Sequence, residues 1–120
     1  MNIALDFDDT YDRDPQMWDH FIGFAKARGH DIRIVTFRKS TMTDPALDRL
    51  AQSMPVIYTE YIQKRAFTNH LGWIVDVWID DSPEFIVAAP VILGQGLAQT
   101  KSEPRSASDP RQTDLEEFLK

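Results

Sequence analysis

The chain has 120 residues, enough for one domain with a single core. Its 13 Lys+Arg against 19 Asp+Glu leave a formal net charge of -6, which disfavours non-specific binding to nucleic acid or to an anionic membrane. With no cysteine, disulfides, thiolate metal sites and a cysteine nucleophile are excluded.

Short apolar runs alternate with helix-like segments. Met1 to Leu5 run straight into Asp6 with neither a cationic n-region nor an apolar h-region, and no apolar run approaches the roughly 20 residues that span a bilayer. A cytoplasmic protein without membrane partners is the expectation. Ile3-Ala4-Leu5 predicts a buried strand ended by the acidic run Asp6-Phe7-Asp8-Asp9. Asp14-Pro15 reads as an N-cap with proline in the first helical position, and Met17, Trp18, Phe21, Ile22 and Ala25 follow at helical spacing up to Gly29. Ile32 to Val35 predicts a second strand closing on Thr36.

The next unit repeats this order. Asp44-Pro45 opens a helix carrying Leu47, Leu50, Ala51 and Met54, and Pro55 ends it. Val56-Ile57-Tyr58 is a third strand, a helix spans about Ile62 to Leu71, and Ile74 to Ile79 is a fourth strand. Ser82-Pro83 starts another helical turn, and Val91-Ile92-Leu93 is expected to add a short fifth strand. This alternation predicts an α/β domain over residues 1–93, a parallel sheet of about five strands covered by helices on both faces. Residues 94–111 are rich in Gly, Ser, Gln, Pro and charge and read as a flexible linker. Thr113 and Glu116 can form a capping box for a short final helix bearing Leu115, Phe118 and Leu119.

In open parallel sheets ligands bind at the carboxyl ends of the strands, so the residues expected there carry the argument. They are Asp6, Asp8, Asp9 and Thr10 after the first strand, Thr36 after the second, Lys64 and Arg65 at the third helix, and Asp80 and Asp81 after the fourth strand. Carboxylates crowded together resist ionisation unless a cation compensates them. A hard cation held by oxygen alone is the natural partner, and magnesium suits a site that also accepts phosphate. A lysine balances the remaining charge, a threonine hydroxyl donates to a phosphoryl oxygen, and the set suits nucleophilic phosphoryl transfer to an aspartate.

Each residue also has a plainer reading. Acids before Ser82-Pro83 favour a helix start anyway, Thr36 is an ordinary strand residue, and Lys64 beside Arg65 has a lesser reading as a solvated charge, with Arg65 then as the stand-in. Asp6, Asp8, Thr10, Asp12 and Asp14 imitate a calcium loop, but Tyr11 and Met17 stand where glycine and glutamate are required. His20, His30 and His70 are too scattered for zinc, and Trp18, Trp73 and Trp78 read as core or core edge.

Asp6-Phe7-Asp8-Asp9-Thr10 resembles the first motif of the haloacid dehalogenase (HAD) superfamily, Ile34-Val35-Thr36 the second, Lys64 the third and Ile79-Asp80-Asp81 the fourth. The resemblance covers roughly residues 3–93 and implies a Rossmann-like three-layer fold and a magnesium-dependent phosphatase. It implies that Asp6 attacks phosphorus and that Asp8 protonates the leaving oxygen and then activates water. Thr36 and Lys64 would hold the phosphoryl group. Asp6, the backbone carbonyl of Asp8 and Asp81 would bind the metal, assisted by Asp80. Asp9 falls at a variable position and receives no role.

The short spans from Thr10 to Asp14 and from Thr36 to Lys64 leave no room for the cap domain many such enzymes insert, so a capless form is expected. An open site of that kind suits bulky phosphomonoesters, although a homo-oligomer or the tail would be able to cover it. Arg38, Lys39 and Arg65, with Phe37 and Tyr11 as an aromatic wall, suit a nucleotide or a nucleic-acid phosphate end, ranked first here, and equally any polyanionic phosphoester. Two alternatives stand beside the enzyme. A receiver-like signalling domain gathers similar residues in another order, with its lysine last, and a phosphate- or metal-binding protein would keep the groups without turnover.

Overall fold

Each of the first four predicted apolar runs becomes a strand of one parallel sheet in the computed structural model, which describes residues 1–88. The strands are β1 (Asn2–Leu5), β2 (Asp31–Thr36), β3 (Val56–Tyr58) and β4 (Val77–Ile79), ordered β3-β2-β1-β4. Register pairs Leu5 with both Ile34 and Ile79, and Thr36 with Tyr58, so all four strands end along one edge. The expected fifth strand at Val91–Leu93, the linker and the final helix lie outside the described residues.

Helices α1 (Pro15–Ala27), α2 (Pro45–Leu50) and α3 (Lys64–His70) connect the strands. Asp14 caps α1 by accepting from the Met17 amide at 3.3 Å, and Asp44 caps α2 by accepting from Ala46 at 2.8 Å. Gly29 and Gly72 take φ of 86° and 83°, the left-handed backbone that follows α1 and α3. Helix α2 is shorter than predicted, because residues 51–53 continue as turns and Met54 reaches the core from beyond its end.

Strand alternation divides the apolar residues into two clusters. Ile3, Leu5, Ile32 and Ile34 pack with Ile22 and Ala25 of α1 and with Leu47 and Leu50 of α2. Ala4, Val35 and Ile57 pack instead with Trp73 and Val75, against which Phe67 of α3 and Trp78 rest. Trp18 borders the first cluster, so the tryptophans sit at core or core-edge positions. Met17 and Phe24 are exposed on α1 despite their helical spacing.

Strand β4 is shorter than the predicted Ile74–Ile79. Trp73 and Val75 turn into the second cluster before pairing begins, and Asp76 ties this segment to Asn2 through the Asp76 amide (2.8 Å) and its own carboxylate (2.8 Å). The neighbouring polar groups at this amino end of the sheet are tightly paired. Asp31 accepts from Arg33 twice at 3.0 Å and from the Trp73 indole at 3.1 Å, and the Arg33 guanidinium lies 4.4 Å from the Trp73 ring centroid. Among the described residues no helix is long and apolar enough to cross a membrane.

Candidate metal centre and active site

The Asp6 amide donates to the Ile79 carbonyl at 2.9 Å, carrying the β1–β4 pairing one residue past β1. That bond sets the Asp6 side chain beside the Asp80-Asp81 pair. The chain then reverses sharply. Asp9 takes a left-handed φ of 60°, its amide donating to Asp12 at 2.8 Å, and the amides of Tyr11 and Asp12 return to the carbonyls of Asp6 and Phe7. Aspartate tolerates this backbone better than most side chains, which gives Asp9 a conformational place in the loop. The reversal brings Thr10 back over the site, where its hydroxyl lies 3.1 Å from Asp6 Oδ2 and 3.4 Å from Asp81 Oδ1.

Lys64, the first residue of α3, is only 1 % exposed. Its Nζ donates to Asp6 Oδ1 at 2.8 Å and to Asp80 Oδ2 at 2.5 Å. The plain reading of Lys64 as a surface charge therefore does not hold. A buried ammonium needs partners, and two carboxylates supply them. Asp80 is fully engaged, since its other oxygen accepts the Ser82 amide at 2.9 Å. Asp81 is more open, and Ser82 Oγ approaches its second oxygen at 3.3 Å.

Carboxylate oxygens of Asp6, Asp80 and Asp81 lie within 4.8 Å of one another, and the three can hold a metal ion. A single lysine cannot balance three acids. Asp6 shows the imbalance: burial pushes its pKa up to about 7, Lys64 pulls against that, and Asp80 and Asp81 add to the rise. A cation among all-oxygen donors would relieve the excess charge, so the donor set fits a hard divalent ion.

Asp8 behaves differently. Its carboxylate faces Arg38, which grips it with Nε at 3.0 Å and Nη2 at 2.8 Å, while Nη1 donates to the Met42 carbonyl at 2.8 Å. Asp8 hydrogen bonding holds the Arg38 guanidinium even more firmly protonated than usual. Thr36 is fully buried at the end of β2, and its hydroxyl accepts the Arg38 amide at 3.4 Å. The structure thus joins Asp6, Lys64, Asp80 and Asp81 directly and sets Asp8 and Thr36 around Arg38.

One expectation is corrected. Tyr11 forms no aromatic wall, because it is fully buried, stacks on Phe7 at 5.8 Å and hydrogen-bonds Asp19 (2.6 Å) and Arg49 (2.8 Å). Its position after an acidic loop suggested exposure, but the turn at Asp9 directs it into the core. Phe37 does line the edge, stacked 4.3 Å from Phe85 and 5.5 Å from Tyr61. Thr10 and Arg38 are the site residues whose contacts sequence reasoning missed, although both stood within or beside the motifs. A groove of about 620 Å³ lies elsewhere, along α1 and the end of α2, lined by Gly23, Lys26, Leu50 and Met54.

Comparison of the chain with family models, with curated proteins and with solved structures found no match in any of the three.

Proposed function

We propose that the chain is a magnesium-dependent phosphomonoester hydrolase of the HAD type, acting through an aspartyl-phosphate on Asp6. The observation that carries this reading is the buried Asp6 carboxylate, shared between Lys64 and a cluster with Asp80 and Asp81. Asp6, Asp81 and the Asp8 backbone carbonyl would hold magnesium. Asp80, with both oxygens engaged, would act mainly by fixing Lys64. When bound, the ion supplies charge neutralisation and polarises a phosphoryl oxygen.

In the first step an Asp6 oxygen forms a bond to phosphorus as the ester P–O bond breaks, and Asp8 gives a proton to the departing oxygen. In the second, Asp8 takes a proton from water, the water oxygen bonds to phosphorus, and the bond to Asp6 breaks. Lys64 and Thr36 would steady the phosphoryl oxygens throughout. The reading carries with it a capless, three-layer domain. It also carries a cytoplasmic setting and a nucleotide or nucleic-acid phosphate end as substrate.

Turnover of a chromogenic aryl phosphate with magnesium tests the proposal. Activity in the wild type, lost in Asp6→Asn, in Asp8→Asn and on chelation, is the expected result. A second reading has one observation in its favour. The grip of Arg38 on Asp8 engages both oxygens of the proposed acid–base group, as in a phosphate- or metal-binding protein without turnover. Magnesium-dependent thermal stabilisation with no hydrolysis of any phosphate ester would establish that reading and end the enzymatic one.

A further inference from the structure

The loops at the carboxyl edge of the sheet carry a ladder of aromatic rings that the metal centre does not use. Phe37 directly follows Thr36, and Phe85 lies in the 3-10 turn Pro83–Phe85 just after Asp81. Their rings stack at 4.3 Å with an interplanar angle of 10°, and Tyr61 leans on Phe37 at 5.5 Å and 37°. The outer members stay open, Phe85 being 38 % and Tyr61 50 % exposed.

The ladder is held in place by the backbone. Glu60 and Tyr61 both adopt left-handed φ, 58° and 65°, a conformation that is strained for a non-glycine residue. Their amides donate to the carbonyls of Arg38 (3.1 Å) and Phe37 (2.9 Å), which locks the loop after β3 onto the loop after β2. Phe85 is braced from the start of α3, where the Arg65 amide donates to the Ile86 carbonyl at 3.0 Å; Gln63, just before α3, meets the carbonyls of Glu84 (2.7 Å) and Phe85 (3.3 Å) when its side-chain amide is turned to present nitrogen. Single exposed apolar residues are ordinary, whereas a stacked and braced set beside a charged site is a surface with a use.

Charge narrows the occupant. On a chain of net charge -6, Lys39 adjoins this ladder, its Nζ 5.7 Å from the Tyr61 ring centroid, while the Arg38 guanidinium is engaged by Asp8. A flat aromatic group joined to an anion satisfies both features. We infer that Phe37, Phe85 and Tyr61 form a stacking platform for the unpaired base of a nucleotide whose phosphate lies at the Asp6 centre. The inference rests on the proposed phosphatase reading for the phosphate end alone. Stacking of a base on an aromatic side chain changes affinity by about 5- to 150-fold.

The test compares a nucleoside 5′-monophosphate with ribose 5-phosphate, which departs through the same primary 5-oxygen and lacks the base. Wild-type protein is expected to favour the nucleotide at least tenfold in kcat/KM. Phe85→Leu and Tyr61→Leu keep apolar bulk and lose the ring, and are expected to bring that ratio down to within about twofold of one. A wild-type ratio near one, or a ratio that survives both replacements, overturns the platform. Calorimetric binding of the same two ligands to the full chain with magnesium reads the same ratio without turnover. Absence of hydrolysis together with a tenfold tighter nucleotide would therefore sink the enzymatic reading and uphold this one. A 5′-phosphorylated dinucleotide, run in parallel, separates the two sources of such a base. Equal performance with the mononucleotide supports a free nucleotide, and a tenfold advantage supports a strand end.

Discussion

At the amino end of the sheet, Asp31 receives hydrogen bonds from Arg33 and Trp73, and Asp76 receives the Asn2 amide. At the carboxyl end, Asp6, Asp80 and Asp81 share one buried lysine and are left with more negative charge than it can match. The same four strands hold both sets. One end spends its polar groups on joining chain segments distant in sequence. The other leaves a group of carboxylate oxygens that could hold a metal ion. The contrast shows in protonation as well: the Arg33 hydrogen bond holds the Asp31 carboxyl below its usual range, while burial lifts that of Asp6 to about 7.

The hardest blow to this contrast is Asp6→Asn. Under the proposed mechanism it should lower phosphatase turnover at least about a thousandfold while leaving the amino end intact, because loss of the proposed nucleophile removes the covalent route. Steady-state kinetics beside a urea midpoint that does not fall would support a carboxyl end held for chemistry. An equal loss of folding would make it a structural lock like the other.

Lys64→Met ranks next. Removing the ammonium leaves Asp6 and Asp80 facing each other without compensation, a change that typically costs about 3–5 kcal/mol. Urea denaturation should show a larger loss at pH 8 than at pH 5, where Asp6 can take up a proton instead.

The third test uses pH. In chelator, folded Asp6 holds its proton more tightly than the unfolded chain does, so its contribution to stability is complete below pH 4 and is lost as pH rises from about 4 to 7. Asp31 has the opposite sign, with its contribution present above its unfolded pKa and lost only in stronger acid. Magnesium must displace the Asp6 proton, so its affinity should weaken as pH falls below about 7. Thermal melts with and without the ion across pH 4–9 check both limbs, and a pH-independent magnesium shift would remove Asp6 from the ligand set.

The smallest effect belongs to Asp31→Ala. Half-exposed ion pairs are screened, and the expected cost is about 1 kcal/mol with no change in magnesium affinity. A change in metal binding there would mean that the two ends are not independent.

Much of this division was legible in the order of residues. The strand ends placed Asp6, Lys64, Asp80 and Asp81 along one edge before any contact was known, since apolar runs and helix stops mark where each strand finishes. The depth of Lys64 was not legible, because Lys64-Arg65 at a helix start looks alike whether solvated or buried. Tyr11 misled for a related reason: only the left-handed turn at Asp9 decides which way it points. The Arg38–Asp8 pair depends on the rotamers of two long side chains, which no local pattern encodes. Strand β4 begins late because Trp73 and Val75 serve packing, a tertiary demand that overrode their strand propensity.

The burial of Lys64 also gives the molecule a built-in reporter. An amine with 1 % of its surface in contact with solvent is shielded from acylating reagents, while Lys39 on its exposed loop is open to them. Mass-spectrometric labelling of native protein should leave Lys64 unmodified when Lys39 has fully reacted. Modification of Lys64 would then record excursions in which the start of α3 lifts away from Asp6 and Asp80, a breathing motion otherwise hidden in the folded state.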